Sequence, residues 1–513
     1  MSTTAAPVTR SKNLALVAML LAVAMTFIDQ TIVAIASPNI QSELSLSQNG
    51  SRWVINAYLL ALAATFAFGG RLADVLGHRR MAAVGIVGFA LSSLLCGFTP
   101  QNGAAEAWII TFRALQGVSG AIMIPAALAV VVSAFPVRER GRALAIFFGV
   151  SGGLTAVGPI AGGFLTEWTW RAIFWINVPI GVLALVLLFA AHIAPSRRPD
   201  RIDWVGALIA AAGMGLSVLG FEQAPVWGWD SAGTWLCIIG GLVAIGIFVL
   251  VEMRTTAPLI QVRIFRDRAF VVDNVVLFLS MIAFVPVFFF ASVYAQVSLG
   301  YDANSAGLYL LVFFAGFAPA AQVGGRILDS RGARLPVILG SAVATAGFVL
   351  WAWRLTDLSL GAQWIFIVIS GAGIGFLLGP ASTDAVNRAI GASYGEVTGI
   401  TQTVRNYGSA LGIAVLGTVL STVFSHRLVT SLAGLGVPLD TARSIADRAS
   451  EQGGGSGSGG PVPAGVQAAV AHDFAVATQW VLYGMAIALA ASFLVALLHP
   501  GGRGAEEAVV PEG

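Results

Sequence analysis

The sequence predicts an all-α, polytopic membrane protein: two six-helix halves with two further helices between them, fourteen transmembrane helices in all, both termini cytoplasmic. Three observations carry that expectation: hydropathy, the placement of basic residues, and an internal repeat. Of 513 residues, 57% are hydrophobic and only 10% charged, whereas a soluble globular chain carries about 25% charged residues. Such a composition cannot coat a water-facing surface, which excludes a cytosolic enzyme, a nucleic-acid binder and a disordered scaffold. The net charge of +3 is also too small for a nucleic-acid footprint.

A transmembrane helix needs ~20 mostly apolar residues. Windows of that kind fall at roughly 13–36, 52–71, 81–99, 106–132, 141–165, 171–193, 203–222 and 233–253. The remainder fall at roughly 269–295, 303–324, 335–355, 362–387, 395–424 and 476–498. The first follows Arg10 and Lys12, as a signal peptide would. It exceeds the usual h-region of about 7–15 residues and contains an acid, so it reads as a helix.

Basic residues near span ends mark the cytoplasmic side. Arg10 and Lys12 precede the first window, and alternate connections then carry Arg71, Arg79 and Arg80; Arg138, Arg140 and Arg142; Arg197, Arg198 and Arg201. The series continues with Arg254, Arg263, Arg266 and Arg268; Arg326, Arg331 and Arg334; Arg388; and Arg503. The other connections hold only Arg52, Arg171, Arg354, Arg427, Arg443 and Arg448. Between the last two windows, 425–475 forms an outer connection containing an amphipathic piece near Leu439–Ala449 and a Gly/Ser run, Gly453–Gly460. It reads as a tolerated surface insertion, with a role at the outer mouth as the alternative.

The chain also repeats itself. Gly69-Gly70-Arg71-Leu72-Ala73-Asp74-Val75-Leu76-Gly77-His78-Arg79 follows the second window, and Gly324-Gly325-Arg326-Ile327-Leu328-Asp329-Ser330-Arg331-Gly332-Ala333-Arg334 the tenth. Six of these eleven positions match at one offset of 255, which also lays Gly120 over Gly375 and Pro125 over Pro380. The expected organisation is an N-terminal half over 1–193, an inserted helix pair over 194–262, a C-terminal half over 263–499 and a tail over 500–513. Duplicated halves enclosing a midplane site are how secondary transporters are built.

Other chemistries find little support. Lys12 is the sole lysine, and a nucleotide-binding P-loop needs one. The Gly455, Gly457 and Gly460 pattern lies in the Gly/Ser run with no strand before it. Cys96 and Cys237 sit in apolar stretches without metal-type spacing. His78, His192, His426, His472 and His499 read as scattered over different loops and span ends, and no H-E-x-x-H pair occurs.

Several strings resemble the major facilitator superfamily and, within it, the fourteen-span drug:proton antiporters. Gly70-x-x-x-Asp74-x-x-Gly77-x-Arg79-Arg80 resembles the superfamily's loop signature between spans two and three, departing from it at Val75 and His78. Asp29-Gln30-Thr31-Ile32-Val33, ending in Pro38, is similar to the family's first-helix motif, and Arg113-Ala114-Leu115-Gln116-Gly117 to its proton-coupling motif. Gly158-Pro159-Ile160-Ala161-Gly162-Gly163 resembles the antiporter motif, with Leu154 where an upstream glycine is common. Trp170 to Gly181 resembles a stretch of fourteen-span exporters. The resemblance implies the major facilitator fold, alternating access, and a switch contact at Asp74 and Asp329 that holds one conformation, a static loop clamp being the alternative. For the antiporter motif it implies a seal between the halves, with plain helix packing as the alternative.

Physical reading of the residues adds detail. Ionisable side chains inside a membrane cost roughly 2.5–3.5 kcal/mol each on insertion scales. Asp29 and Arg113 fall at nearly equal depth on windows one and four, which makes Asp29 a proton carrier and Arg113, always charged, its modulator. A static ion pair is the alternative. Asp384 and Arg405 form a weaker second set, with an interfacial cap or packing bond as the alternative for Asp384, and Glu222, Asp273 and Glu396 read as solvated or snorkelling charges at span ends. Phe112, Gln116, Phe290, Tyr294 and Tyr407 are candidate substrate-binding residues. The expected protein is therefore a monomeric proton-coupled exporter of small amphipathic or cationic compounds in the cell membrane. It draws on the proton gradient, without cofactor, metal, ATP or nucleic acid. A dedicated exporter of one metabolite or lipid-like compound, or a proton-coupled nutrient symporter, is the alternative.

Overall fold

Lipid cannot hydrogen-bond a backbone, so a chain this apolar must satisfy its N–H and C=O groups within each segment or in a closed barrel. The computed structural model takes the first solution: among the described residues there are helices and no strands. It describes residues 11–135, 143, 147, 157–192, 203–255, 262–387, 394–451 and 464–501. Arg10, Arg138, Arg140, Arg142, Arg197, Arg198, Arg201, Arg388, Arg503, Leu154 and the Gly453–Gly460 run lie outside the described residues, as do the side chains of Pro159, Arg263, Glu396 and Arg448.

The helices are α1 (Ser11–Leu44), α2 (Gln48–Leu76), α3 (His78–Gly97), α4 (Ala105–Ala134), α5 (Val157–Trp168), α6 (Ala172–Trp175) and α7 (Asn177–Ala190). They continue as α8 (Trp204–Trp227), α9 (Ala232–Glu252), α10 (Arg268–Val297), α11 (Ala303–Arg331) and α12 (Arg334–Arg354). The last are α13 (Leu360–Asn387), α14 (Tyr394–Gly434), α15 (Leu439–Glu451) and α16 (Ala464–Ala496). Among the described residues, twelve helical segments are long and apolar enough to cross a bilayer, thirteen with the bent α2. The fifth window is described only from Val157, as α5. The outer surface suits lipid. On α9, Leu236, Ile239, Leu242, Val243, Ile247 and Leu250 are all exposed, an apolar face that a water-soluble monomer rarely presents. The chain is a multi-pass integral membrane protein.

Helix ends follow local chemistry. Ser47, Asp203, Ser231, Asp267 and Asp302 each accept a backbone N–H from the first turn of the helix they precede. Gly77 and Gly332, 255 positions apart, end α2 and α11 with φ of 103° and 80°, and their N–H groups bond Ala73 and Leu328, also 255 apart. A side chain is strained in that left-handed region.

The repeat extends to packing. Helix α2 packs on α4 as α11 does on α13, and α3 on α4 as α12 does on α13. Gly69 lies against the Ala121 carbonyl and Gly324 against that of Phe376, both pairs offset by 255. The inserted α8 and α9 pack on one another, and α8 also lies against α2 and α14.

One expectation changes at the 425–475 connection. Helix α14 runs on to Gly434 and α16 begins at Ala464, well beyond the windows at 395–424 and 476–498. Hydropathy averages out there, but the helical stripe persists: Leu428 and Leu432 are buried one turn apart, as are Ala442 and Ala446 on α15.

Candidate functional site

Asp29 sits in the middle of α1, and Arg113 and Gln116 project from one face of α4, three residues apart. Arg113 Nη1 donates to Asp29 Oδ2 at 2.6 Å and Gln116 Nε2 to Asp29 Oδ1 at 3.0 Å, so each carboxylate oxygen has a donor. The guanidinium is held by two more acceptors, the Gln116 Oε1 at 2.7 Å and the Val54 carbonyl of α2 at 2.8 Å. It also lies over the Tyr58 ring, 4.4 Å from its centroid. Asp29 and Arg113 are 1% and 0% exposed, dry enough that their charges are screened far less than in water. A carboxylate here is neutralised by one permanent cation. A proton on Asp29 would remove that compensation and leave Arg113 with only neutral acceptors.

The motif glycines of α5 make helix contacts. Gly162 packs on Ile32 and Ile35 of α1, and Gly158 on Thr31. Gly163 faces the other way, where a Cβ would come 3.0 Å from the Asn304 Cα of α11. In the loop motif Gly70 is half-buried, Asp74 Oδ1 lies 3.8 Å from His78 Nε2, and Arg79 lies over the Phe189 ring. Arg80 and Asp329 are exposed. The Trp170–Gly181 stretch is a polar fastening: Glu43 of α1 accepts from Trp170 and Arg171, and Asn177 bonds Ser93 of α3.

The second set is not brought together as a pair. Arg405 Nη1 donates to Gln402 one turn earlier on α14. Asp384 instead meets His499 just past α16, Oδ2 to Nε2 at 3.4 Å, and Asp273 of α10 lies at the same distance from that nitrogen. Asp273 is therefore buried, not a solvated end charge, and His499 is no stray histidine: three helix ends converge there. Nε2 of the ring faces both carboxylates, and Gly501 N–H lies 3.1 Å from Nδ1, a bond the neutral ring accepts and the imidazolium, a donor at both nitrogens, gives up. Burial of the ring opposes its charge, but Asp273 and Asp384 together outweigh that and bring the imidazole up to about 9.

Glu222 is likewise not solvated. It is 0% exposed on α8, accepts from Asn56 of α2 and lies 3.6 Å from Arg52. Hydropathy had placed Arg52 in an outer connection, when it is the first turn of a helix and 2% exposed. No spacing rule ties residues 52 and 222. The available signal was an acid and a base in otherwise apolar windows.

The aromatic candidates do not gather at one place. Phe112 packs on Trp108. Phe290 is buried beside Phe289. The Tyr294 hydroxyl donates to the Leu355 carbonyl and accepts from Gln363. Tyr407 bonds Ser217 of α8 at 2.8 Å.

The sequence matches the Major Facilitator Superfamily over residues 19–413. It is 33% identical over 412 residues to the tetracenomycin C resistance and export protein of Streptomyces glaucescens, covering 79% of this chain and 76% of the relative. The cephamycin export protein CmcT of Amycolatopsis lactamdurans is 35% identical over 413 residues, covering 76% and 81%. Among solved structures, a bacterial homolog of the human lysosomal transporter Spinster, inward-facing and unoccupied, superposes with a TM-score of 0.62 at 17% identity, covering 96% and 98%. A D-xylose-proton symporter gives 0.58 at 12% identity, covering 85% and 95%.

Proposed function

The chain belongs to the Major Facilitator Superfamily and is a membrane transporter, and from that premise we propose that it exports small amphipathic or cationic compounds from the cell in exchange for protons. The observation that carries the reading is the dry Asp29–Arg113–Gln116 network, which ties α1 to α4 through a single titratable charge. Protonation of Asp29 frees Arg113 to turn fully to Gln116 and the Val54 carbonyl, and α1 can then shift against α4 and α2. Loss of the proton restores the pair. Relatives named for tetracenomycin, cephamycin and puromycin export or resistance support the direction and class of cargo. One proton moved down a potential releases about 2.3 kcal/mol per 100 mV, and each pH unit adds about 1.4 kcal/mol. The gradient alone can therefore drive accumulation without ATP or a cofactor. Asp384, which faces His499, and Arg405, which donates to Gln402, are secondary candidates.

The test is transport in proteoliposomes with an imposed pH gradient and a panel of cationic dyes and antibiotics. Wild type should drive cargo uphill. Asp29→Asn should lose gradient-driven transport while retaining cargo-for-cargo exchange, which needs no net proton movement. Uphill transport at full rate in Asp29→Asn would remove Asp29 as the carrier.

A further inference from the structure

The inserted pair α8–α9 does not simply float beside the bundle. Helix α8 lies where α2 meets α14, and several polar links fix it there, among them a hydrogen bond from Asn49 of α2 to Gln223. Glu222 takes hydrogen bonding from Asn56 and faces Arg52 on α2. Thr418 of α14 donates to the Phe221 carbonyl at 3.0 Å, and Ser217 bonds Tyr407 of α14. The Glu222 and Thr418 links lie toward the face of the bundle opposite the termini, the end at which α2 begins, whereas Ser217 and Tyr407 meet nearer the middle of their helices.

Arg52 is the shared element. Its stem lies flat on Gly417 of α14, where a Cβ would come 2.7 Å from the Arg52 Cδ. Its Nε and Nη1 find no hydrogen-bond acceptor, so Glu222 is what neutralises a cation that is 2% exposed. Two further contacts join the repeat units at the same face. Gln296 of α10 donates to the Ile35 carbonyl of α1 at 3.3 Å, and Gly163 seats on Asn304. A buried ion pair adds little net stability over apolar packing, and charge inside a membrane is costly.

We propose that Glu222 is a gate-positioning residue: from the inserted helix it holds Arg52 of α2 against Gly417 of α14, and this contact keeps the face opposite the termini closed. Opening that face requires Arg52 to leave Gly417. Glu222 thereby makes the inserted pair a working part of the transporter and not a passive addition. The proposal needs only that this face opens in the cycle, not that protons drive it, so it stands or falls apart from the antiport reading.

The experiment measures the distance across that face by pulsed electron resonance on spin labels at Ser45→Cys and Leu435→Cys, both exposed, in a full chain lacking Cys96 and Cys237. Wild type should give a mainly short distance. Glu222→Gln keeps the shape and loses the charge, and should shift most of the population to longer distances. Thr418→Val breaks a different α8–α14 link and should leave the distribution as in wild type. An unchanged distribution in Glu222→Gln overturns the proposal. Opening by both variants also overturns it, because Glu222 would then serve only to dock α8. Should Glu222→Gln fail to accumulate, Arg52→Gln carries the same test: a longer distance supports the gate and an unchanged one refutes it.

Discussion

Replacing Arg113 by methionine removes the guanidinium while leaving Asp29 buried, and the structure sets the size of the effect. At 2.6 Å and an effective dielectric constant of ~20 the pair attracts by about 6 kcal/mol. Both charges gave up hydration to reach this site, so the net value of the pair is far smaller than that attraction. Removing one partner is different, because it strands the other charge at a cost of about 3–5 kcal/mol. Arg113→Met should therefore sharply lower the midpoint of thermal unfolding of the detergent-purified protein. Asp29→Asn combined with Arg113→Met should recover most of that loss, since neither charge is then buried alone. Transport separates a working pair from a static one. The double variant should be stable and yet fail to couple cargo movement to an imposed pH gradient. If it regains both stability and gradient-driven transport, the pair merely fastens α1 to α4 and the coupling argument is refuted. If Arg113→Met alone is as stable as wild type, the assumption of a dry, mutually dependent pair is wrong.

Three further outcomes are expected. Gly163→Leu should press α5 away from Asn304 of α11 and let protons leak without cargo, seen as dissipation of a pH gradient reported by a trapped dye; a tight vesicle would argue against a sealing role. Gly332→Ala should lower stability by about 1–2 kcal/mol through its left-handed backbone at φ 80°, whereas Gly325→Ala, which meets nothing within 4 Å, should not; thermal midpoints of the two variants make the comparison. His499 has its pKa raised from 6.5 to about 9, so its contribution is fully present below pH 6.5 and lost as pH rises through about 9. The midpoint difference between wild type and His499→Gln should then close toward alkaline pH as the ring loses its proton, and a gap that does not shrink there would contradict the charged bridge.

Much of this architecture is legible in one dimension because a bilayer imposes a local rule. Every spanning segment must be apolar and must satisfy its own backbone, so hydropathy finds the helices one at a time. The repeat at offset 255 is local in the same sense, and it brings Gly77 and Gly332 to equivalent helix ends, where a left-handed backbone favours glycine. Asp29 and Arg113 were visible for a related reason: charge is expensive in lipid, and matched depth on two helices leaves few partners. The same reasoning misread Asp273 and Glu222 as solvated and did not find the His499 partner of Asp384, since depth along a helix says nothing about which way a side chain turns or which helix stands beside it.

Sequence alone thus determined the membrane class, the helical composition, the duplication and the Asp29–Arg113 charge pair, all of which follow from the free energy of placing each segment in lipid. Only the tertiary structure decided that His499 bridges Asp273 and Asp384, that Arg405 turns to Gln402, and that α8 reaches Arg52 through Glu222. Those outcomes depend on the lateral order and rotation of helices. Lipid is as apolar as leucine, so it sets no preference among them, and packing of small residues and a few buried polar contacts makes the choice.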